Sequence, residues 1–231
     1  MTGFFPTTPL ELRPNHEVVP AGTELWRVHK SRYAPDEFNP TLADVHDHRA
    51  GSRFDGTVLD PYHSLYLAAD PTTALAESVL RSRPFDPRYS MRYIPWITVR
   101  GRSLSALRTR CELSLVSLLE ERDLAAVCQD SALLEDERNY PQARRWASEI
   151  RAQAPDIVGL VWQSRRNRPR RALVLFHDRF DDCPGCDGKP LEVLPEAGIA
   201  DLGSDAGIDR ANELLAPLRS EISRPVRPGR P

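Results

Sequence analysis

Five polar side chains in separate segments of this sequence are of types that could act together on a charged ligand. They are Arg27, Arg53, Tyr66, Glu77 and Ser164. Arginine forks match phosphate and carboxylate groups bidentately, so two of the five suit an anion. Taken singly, each also has an ordinary structural explanation, such as an ion pair, a half-buried core aromatic, a solvated helix residue or a turn. Function is therefore argued from the set.

Two predicted strands and the loop between them carry three members of the set. Residues 24–29 alternate in the manner of a half-buried strand and contain Arg27. Residues 64–69 form a second short strand with Tyr66. The long polar segment between them contains Arg53, and long ordered loops are often functional.

A predicted helix and a third strand carry the other two members. Residues 70–81 form the clearest helix of the chain, with Asp70 as a suitable N-cap and Glu77 on its surface. The apolar run 156–162 predicts a buried strand, and Ser164 follows its end.

The remaining patterns mix helices and strands without a regular βαβ rhythm. This order favours the α+β class, with a mixed or antiparallel sheet and flanking helices, over a doubly wound sheet. The further elements predicted are strands at 92–99 and 171–177, and helices at 113–127, 140–153 and 205–222.

Composition divides the chain into three segments and excludes several classes of protein. Residues 1–21 are a Pro- and Thr-rich lead-in, 22–180 the main domain, and 181–231 an extension with a turn-rich Cys-Pro-Gly-Cys segment and one helix. With 231 residues, 40% hydrophobic and 28% charged, the chain is not disordered as a whole. A net charge of -2 argues against coating nucleic acid, and no apolar run approaches the roughly 20 residues of a membrane helix.

The usual catalytic and metal signatures are absent from the sequence. There is no P-loop, no Gly-rich dinucleotide fingerprint and no Gly-x-Ser-x-Gly elbow. His46 and His48 lack an obvious third ligand, and Cys183 with Cys186 form half a zinc knuckle, so no metal site is predicted. Four cysteines and the absence of a signal-peptide pattern favour a cytoplasmic protein with reduced thiols.

Together, the five residues and their surroundings resemble the RES domain family, named for its Arg, Glu and Ser. The resemblance covers about residues 22–180, with the motifs in the family's order and at comparable spacings. One departure is Trp162-Gln163, where the family often has Tyr-Pro, and it affects the lining of the pocket. The matching segments are Trp26-Arg-Val-His29, Phe38-Asn39, Gly51-Ser-Arg-Phe54, Leu65-Tyr-Leu67, Ala74-x-x-Glu77 and Gly159-x-x-x-Gln-Ser-Arg165.

The resemblance implies a fold similar to the ADP-ribosylating toxins and the role of toxin in a bacterial toxin–antitoxin pair. Such proteins cleave the nicotinamide–ribose bond of NAD+, with phosphate or water as acceptor. NAD+ is then a substrate, and no prosthetic group is expected. The implied partner is an antitoxin with a helix-turn-helix part. This chain itself is expected to bind neither nucleic acid nor a membrane directly.

The resemblance also implies roles for the five residues, which we expect to line a single cleft. Cleavage creates an oxocarbenium-like ribose cation, which the carboxylate of Glu77 can stabilise. Arg27 and Arg53 are both candidates for the pyrophosphate and for the family's defining arginine. Tyr66 is expected to stack on the nicotinamide. Ser164 is expected to act with Glu77 and Arg27 in catalysis and to bond a phosphate or ribose.

Two alternatives stay open at the level of sequence. The first keeps the fold and makes the acceptor a protein, which gives a mono-ADP-ribosyltransferase. The second is a non-catalytic binding module that uses the Cys-Pro-Gly-Cys segment or the basic run at 165–171. The intact set of arginine, glutamate and serine argues against the second.

Overall fold

The computed structural model of the chain describes residues 10–181 and 188–225. Helices and strands follow one another irregularly through this part. In chain order they are β1 His16–Val19, β2 Glu24–Lys30, β3 Ser64–Ala68, α1 Pro71–Val79, β4 Arg92–Ile94, β5 Arg102–Thr109, β6 Leu113–Leu118, α2 Glu121–Ala126, α3 Ala132–Glu135, α4 Tyr140–Gln153, β7 Gly159–Gln163, β8 Arg171–Phe176, β9 Leu191–Ile199, α5 Asp205–Leu215 and β10 Ser220–Ile222.

Within the described residues, eight strands form one mixed sheet in the order β1-β6-β7-β8-β3-β2-β5-β9. Strands β6 and β7 run parallel, and the other neighbours in this sheet run antiparallel. A second, two-stranded sheet pairs β4 with β10 in parallel. The predicted fold class, α+β with a mixed sheet and flanking helices, is confirmed.

One face of the large sheet carries two separate groups of helices. Cross-strand partners share a face, so Val116, Leu160, Val174 and Tyr66 lie side by side across four strands. Helix α4 packs on this end of the face, whereas α1 and α5 pack on the other end over β2 and β5. The space between the two helix groups is where a cleft can form.

The segment predicted as a helix at 113–127 is instead strand β6 followed by the short helix α2. This prediction was wrong because β6 lies between β1 and β7 and is buried on both faces: Leu115 packs into one core cluster and Val116 into another. A strand covered on both faces has apolar residues at successive positions, and that spacing imitates a helical stripe.

Two other elements are shorter than predicted. The strand expected over 92–99 ends at Ile94, because Pro95 lacks an amide hydrogen for the ladder and a 3-10 turn follows. The helix expected over 205–222 ends at Leu215, and the chain then reverses through Arg219, with φ of 50°, into strand β10.

The large sheet extends beyond the segment expected to form the catalytic domain. Strand β1, within the predicted lead-in, pairs with β6. Strand β9, within the predicted extension, pairs with β5, and α5 packs in the same core cluster as α1. The boundaries at 21 and 180 remain divisions of the sequence.

The longest helix of the described residues is α4, with 14 residues. Its apolar positions, among them Ala143, Ala147 and Ile150, face the core at helical spacing. Of the helices in residues 10–181 and 188–225, none combines the length and apolar character needed to cross a membrane.

Candidate active site

A cleft of about 520 Å³ opens where strands β2 and β3 separate. The two strands pair at Trp26 and Ala68. Near the start of β3, Ser64 instead pairs with Asn39 of the long loop. The strands therefore diverge, and side chains from both of them reach the same space.

The structure brings four of the five predicted residues to this cleft. Arg27 of β2, Arg53 of the long loop, Tyr66 of β3 and Glu77 of α1 all line it. Ser164 does not line it, because its side chain is fully buried behind Glu77.

Arg27 is half buried and is held by the loop that follows its own strand. Its Nη1 donates to the carbonyl oxygens of Pro35 and Glu37, each at 2.7 Å. Burial lowers the pKa of Arg27 to about 10, against the opposing effect of the Glu37 and Asp36 carboxylates. The guanidinium therefore remains charged at neutral pH.

Arg53 is the more deeply buried of the two arginines, at 8% exposure. Its Nη2 donates to the carbonyl oxygen of Leu134, whereas its buried Nε has no hydrogen-bond partner within the described residues. Burial lowers the pKa of Arg53, and the carboxylate of Glu77 acts in the opposite direction. A buried charged donor without a partner costs free energy, so this group favours an anionic ligand.

Tyr66 is held by the backbone beside Arg53. Its hydroxyl accepts a hydrogen bond from the Phe54 amide at 2.8 Å, and its ring lies edge-on to Trp162 with centroids 6.3 Å apart. Burial, with a further contribution from Asp55, raises the pKa of Tyr66 well above its usual value, so the phenol stays neutral. Trp162, the departure from the family pattern, lines the cleft.

The turn that precedes Arg53 has a backbone that requires glycine at its start. Gly51 has φ of +89°, and a Cβ there would lie 2.7 Å from the Cβ of Ala43. Asp55 then accepts hydrogen bonds from the Ser52 amide at 2.6 Å and the Ser64 hydroxyl at 2.8 Å. These contacts hold the backbone on both sides of Arg53.

Arg144 of α4 holds the same turn through hydrogen bonds to its backbone, a role that sequence reasoning missed. Its side chain is fully buried, and its nitrogen atoms donate to four backbone carbonyls of the long loop. The acceptors are Ser52 at 3.0 Å, Asp44 at 2.6 Å, Asp47 at 3.0 Å and Ala50 at 2.5 Å.

One signal in the sequence could have revealed Arg144. It falls between Ala143 and Ala147 on the apolar stripe of a predicted helix, where a charged side chain must find buried partners. Main-chain carbonyls of a long polar loop are suitable partners for such a guanidinium.

Glu77 and Ser164 form a short side-chain hydrogen bond. The Ser164 hydroxyl donates to Oε1 of Glu77 at 2.5 Å. The Ser164 hydroxyl oxygen itself accepts from the amides of Arg166 at 3.2 Å and Asn167 at 3.1 Å. With its lone pairs engaged by two amides, the hydroxyl directs its proton to the carboxylate of Glu77.

The loop after Ser164 is also joined to the start of helix α1. Nδ2 of Asn167 donates to the Thr73 hydroxyl at 2.8 Å, and that hydroxyl donates to Oδ2 of Asp70 at 2.7 Å. Asp70 caps the helix through the Thr73 amide, as predicted from the sequence. Helix and loop therefore hold Glu77 and Ser164 in one arrangement.

The cleft is electropositive although the whole chain carries a net charge of -2. Seven basic residues line it against three acidic ones. This excess favours an anionic ligand with more than one negative charge. The basic residues are Arg27, Lys30, Arg53, Arg81, Arg102, Arg165 and Arg166, and the acidic ones are Glu37, Asp55 and Glu77.

Across residues 10–181 and 188–225, no three histidine, cysteine, aspartate or glutamate side chains are grouped so as to hold a metal ion. Cys183 and Cys186 lie outside the described residues. The donors in the cleft are mainly guanidinium groups, which suit phosphate oxygens rather than cations.

Comparison with known proteins gives one family and one fold. The model of a family described as the RES domain matches residues 24–192. A chain of the M. tuberculosis MbcT–MbcA toxin–antitoxin complex has a similar structure, with a TM-score of 0.53 and 15% sequence identity. That similarity covers 86% of this chain and 92% of the other. No curated protein matches the sequence.

Proposed function

The chain belongs to the RES domain family, and we propose that it is an enzyme that cleaves the nicotinamide–ribose bond of NAD+, with phosphate or water as acceptor. The observation that carries this proposal is a carboxylate, Glu77, held by a buried serine in a cleft lined with arginines. NAD+ presents a pyrophosphate for the arginines and a ribose for the carboxylate.

Glu77 supplies the electrostatic part of the reaction. When the C–N bond breaks, its electron pair leaves with the nicotinamide, which becomes neutral, and positive charge develops on the ribose. The carboxylate lowers the free energy of that cation. An oxygen of phosphate or water then bonds to the ribose carbon and releases its proton, which gives a phosphorylated ADP-ribose or ADP-ribose.

Arg27 and Arg53 bind the pyrophosphate in this proposal. Arg27, with a pKa of about 10, remains charged at neutral pH, and Arg53 has a buried donor without a partner in the described chain. Binding of an anion would give that donor an acceptor. Tyr66, with its hydroxyl engaged by the Phe54 amide, presents a fixed ring on which the nicotinamide can stack.

Ser164 acts as a positioning residue rather than a ligand. We expected it to bond a phosphate or ribose, but its hydroxyl is buried and engaged by Glu77 and two amides. It orients the carboxylate through this hydrogen bond. This role keeps Ser164 in the catalytic unit without contact with NAD+.

The similar structure from M. tuberculosis belongs to a toxin–antitoxin complex. We therefore propose that this protein is also the toxin of such a pair and acts on cytoplasmic NAD+. Its antitoxin would carry a helix-turn-helix part and prevent access to the cleft. A small helix-turn-helix protein encoded beside this chain would support the pairing.

The test is incubation of the purified chain with NAD+, with and without phosphate, followed by mass spectrometry. We expect nicotinamide together with phosphorylated ADP-ribose when phosphate is present, or with ADP-ribose when it is absent. Label transfer from NAD+ to a lysate protein would instead support the mono-ADP-ribosyltransferase. An absence of nicotinamide release under all of these conditions would contradict the proposal.

A further inference from the structure

Arg81 is a cleft residue that neither the motifs nor the proposed roles include. It lies four residues after Glu77, immediately beyond the end of helix α1, and it lines the same cleft. Its guanidinium carbon lies 5.2 Å from the centre of the Tyr140 ring. Within the described chain, no hydrogen bond or ion pair joins Arg81 to another side chain.

Tyr140 brings Arg81 and Arg53 together. It is the first residue of helix α4 and is 4% exposed. The guanidinium carbon of Arg53 lies 5.5 Å from the centre of the same ring. The charge of Arg81 is also one of the causes that lower the pKa of Arg53, after burial, which places the two cations within electrostatic reach of each other.

Arg81 is exposed, whereas Arg53 is buried, so the cost of this arrangement without an anion falls on Arg53. Each cation is attracted to the face of the aromatic ring, but the ring carries no net charge to neutralise them. Two neighbouring positive charges repel each other, and Nε of Arg53 is buried without a hydrogen-bond partner in the described residues. A phosphate group would neutralise both charges and accept from that donor.

We propose that Arg53, Arg81 and Tyr140 form a phosphate subsite of the cleft, in which Arg81 is a direct ligand and Tyr140 a positioning residue. The inference rests on the proposed function and adds Arg81 and Tyr140 to it. The ligand is a phosphate group, either the pyrophosphate of NAD+ or the inorganic phosphate that accepts the ribose.

The experiment compares Arg81→Ala with Arg83→Ala in the full chain. Arg83 is a matched control because it lies two residues further on, donates to the Thr98 hydroxyl at 3.2 Å and does not line the cleft. The KM for NAD+ is measured in phosphate-free buffer, and the KM for phosphate is measured at saturating NAD+.

We expect Arg81→Ala to raise one of these constants roughly tenfold, as the loss of a charge-assisted hydrogen bond would. A higher KM for NAD+ without phosphate identifies the pyrophosphate as the ligand. A higher KM for phosphate alone identifies the acceptor. If both constants stay within about twofold of those of Arg83→Ala, the subsite is refuted.

Tyr140 variants separate positioning from general stability. Tyr140→Phe keeps the ring, so we expect it to retain the KM values of the wild type. Tyr140→Leu removes the ring and should reproduce the effect of Arg81→Ala, provided that its melting temperature shows a folded protein. A Tyr140→Phe variant as defective as a folded Tyr140→Leu would assign the effect to the hydroxyl and contradict the positioning role of the ring.

A binding measurement keeps the subsite testable apart from the proposed function. If the wild type cleaves no NAD+, the enzymatic proposal fails, but calorimetric titration with inorganic pyrophosphate and with phosphate still tests the subsite. Roughly tenfold weaker binding of either anion to Arg81→Ala than to Arg83→Ala supports it. Equal binding by the two variants, or no binding to the wild type, overturns it.

Discussion

The two walls of the cleft are built differently. On the wall formed by helix α1, Glu77 is partly exposed, and its side-chain donor is the buried hydroxyl of Ser164. On the wall formed by the long loop, Arg53 is 8% exposed and its backbone is held on both sides. On the first wall the Ser164 hydroxyl orients the side chain of Glu77, and on the second wall hydrogen bonds of the neighbouring amides fix the backbone that carries Arg53.

The difference corresponds to two chemical tasks of the proposed reaction. A permanent anion such as pyrophosphate is present in the ground state and the transition state alike, so the cations that bind it can be rigid and desolvated in advance. A cation that develops on a ribose exists only briefly, so the carboxylate that stabilises it must remain reachable. The predictions below test whether the walls divide the work in this way.

The largest effect is expected on the helix wall, from Glu77→Gln. Glutamine keeps the size of the side chain but removes the carboxylate that stabilises the ribose cation in the proposed reaction. We expect kcat to fall by about 10²–10³-fold, or about 3–4 kcal/mol, with little change in the KM for NAD+. Steady-state kinetics of the folded variant checks this.

Growth measurements provide a second readout for the same residue. Expression of the wild type without its antitoxin should arrest bacterial growth and deplete NAD+, whereas the Glu77→Gln variant should be tolerated. A purified and folded variant that cleaves NAD+ at the wild-type rate would remove Glu77 from the mechanism.

The next effect is expected on the loop wall, from Arg53→Ala. Loss of a pyrophosphate ligand should raise the KM for NAD+ by about 10–100-fold while kcat changes less, because the lost contact exists in both states. Arg49→Ala is a matched control, since Arg49 is exposed on the same loop and does not line the cleft. A fall in kcat at unchanged KM would contradict the division between the walls.

Arg27→Ala should raise the KM for NAD+ as Arg53→Ala does, and it also removes two hydrogen bonds to the loop that follows β2. The guanidinium of Arg27 also holds the carbonyls of Pro35 and Glu37. Arg27→Lys keeps the charge but not the fork, so we expect its KM for NAD+ to lie between those of the wild type and Arg27→Ala.

A smaller effect is expected from Ser164→Ala, which keeps the side chain of Glu77 but removes its orienting donor. We expect kcat to fall about tenfold, the value of one hydrogen bond to a charged group, with the KM for NAD+ nearly unchanged. If the KM rises instead, Ser164 contacts the substrate, and its role as a positioning residue is wrong.

The sequence allowed the site to be predicted better than the sheet that supports it. Arg27, Arg53, Tyr66 and Glu77 were assigned to one cleft from short motifs, because a family's chemistry fixes residue type and order. Ser164 was placed with them, but its burial behind Glu77 depends on the turn of the backbone after β7.

Elements of the sheet were missed where their patterns depend on tertiary neighbours. Strand β6 is covered on both faces, so it has no alternation, and β9 combines polar residues with Pro195 at an edge of the sheet. Strand β1 has four residues in a Pro-rich segment, too few for a periodic signal. Such strands are defined by their partners rather than by their own composition.

The smallest effect is expected away from both walls. Cys183 and Cys186 lie inside the family match, which ends at residue 192, but neither belongs to a motif of the cleft. Replacing both with Ser should leave NAD+ turnover within about twofold of the wild type. A loss of activity together with stoichiometric release of zinc would make this segment part of the functional unit.

The single pair of residues that joins β2 to β3 has a mechanical consequence. Because β2 and β3 are joined at this one pair, the large sheet consists of two strand groups that are weakly connected there. Arg27 lies on one group and Tyr66 on the other. A dinucleotide that contacts both would brace this junction, because a ligand that binds the folded state stabilises what it bridges. Slower amide exchange at Trp26 and Ala68 on addition of NAD+ would report that bracing.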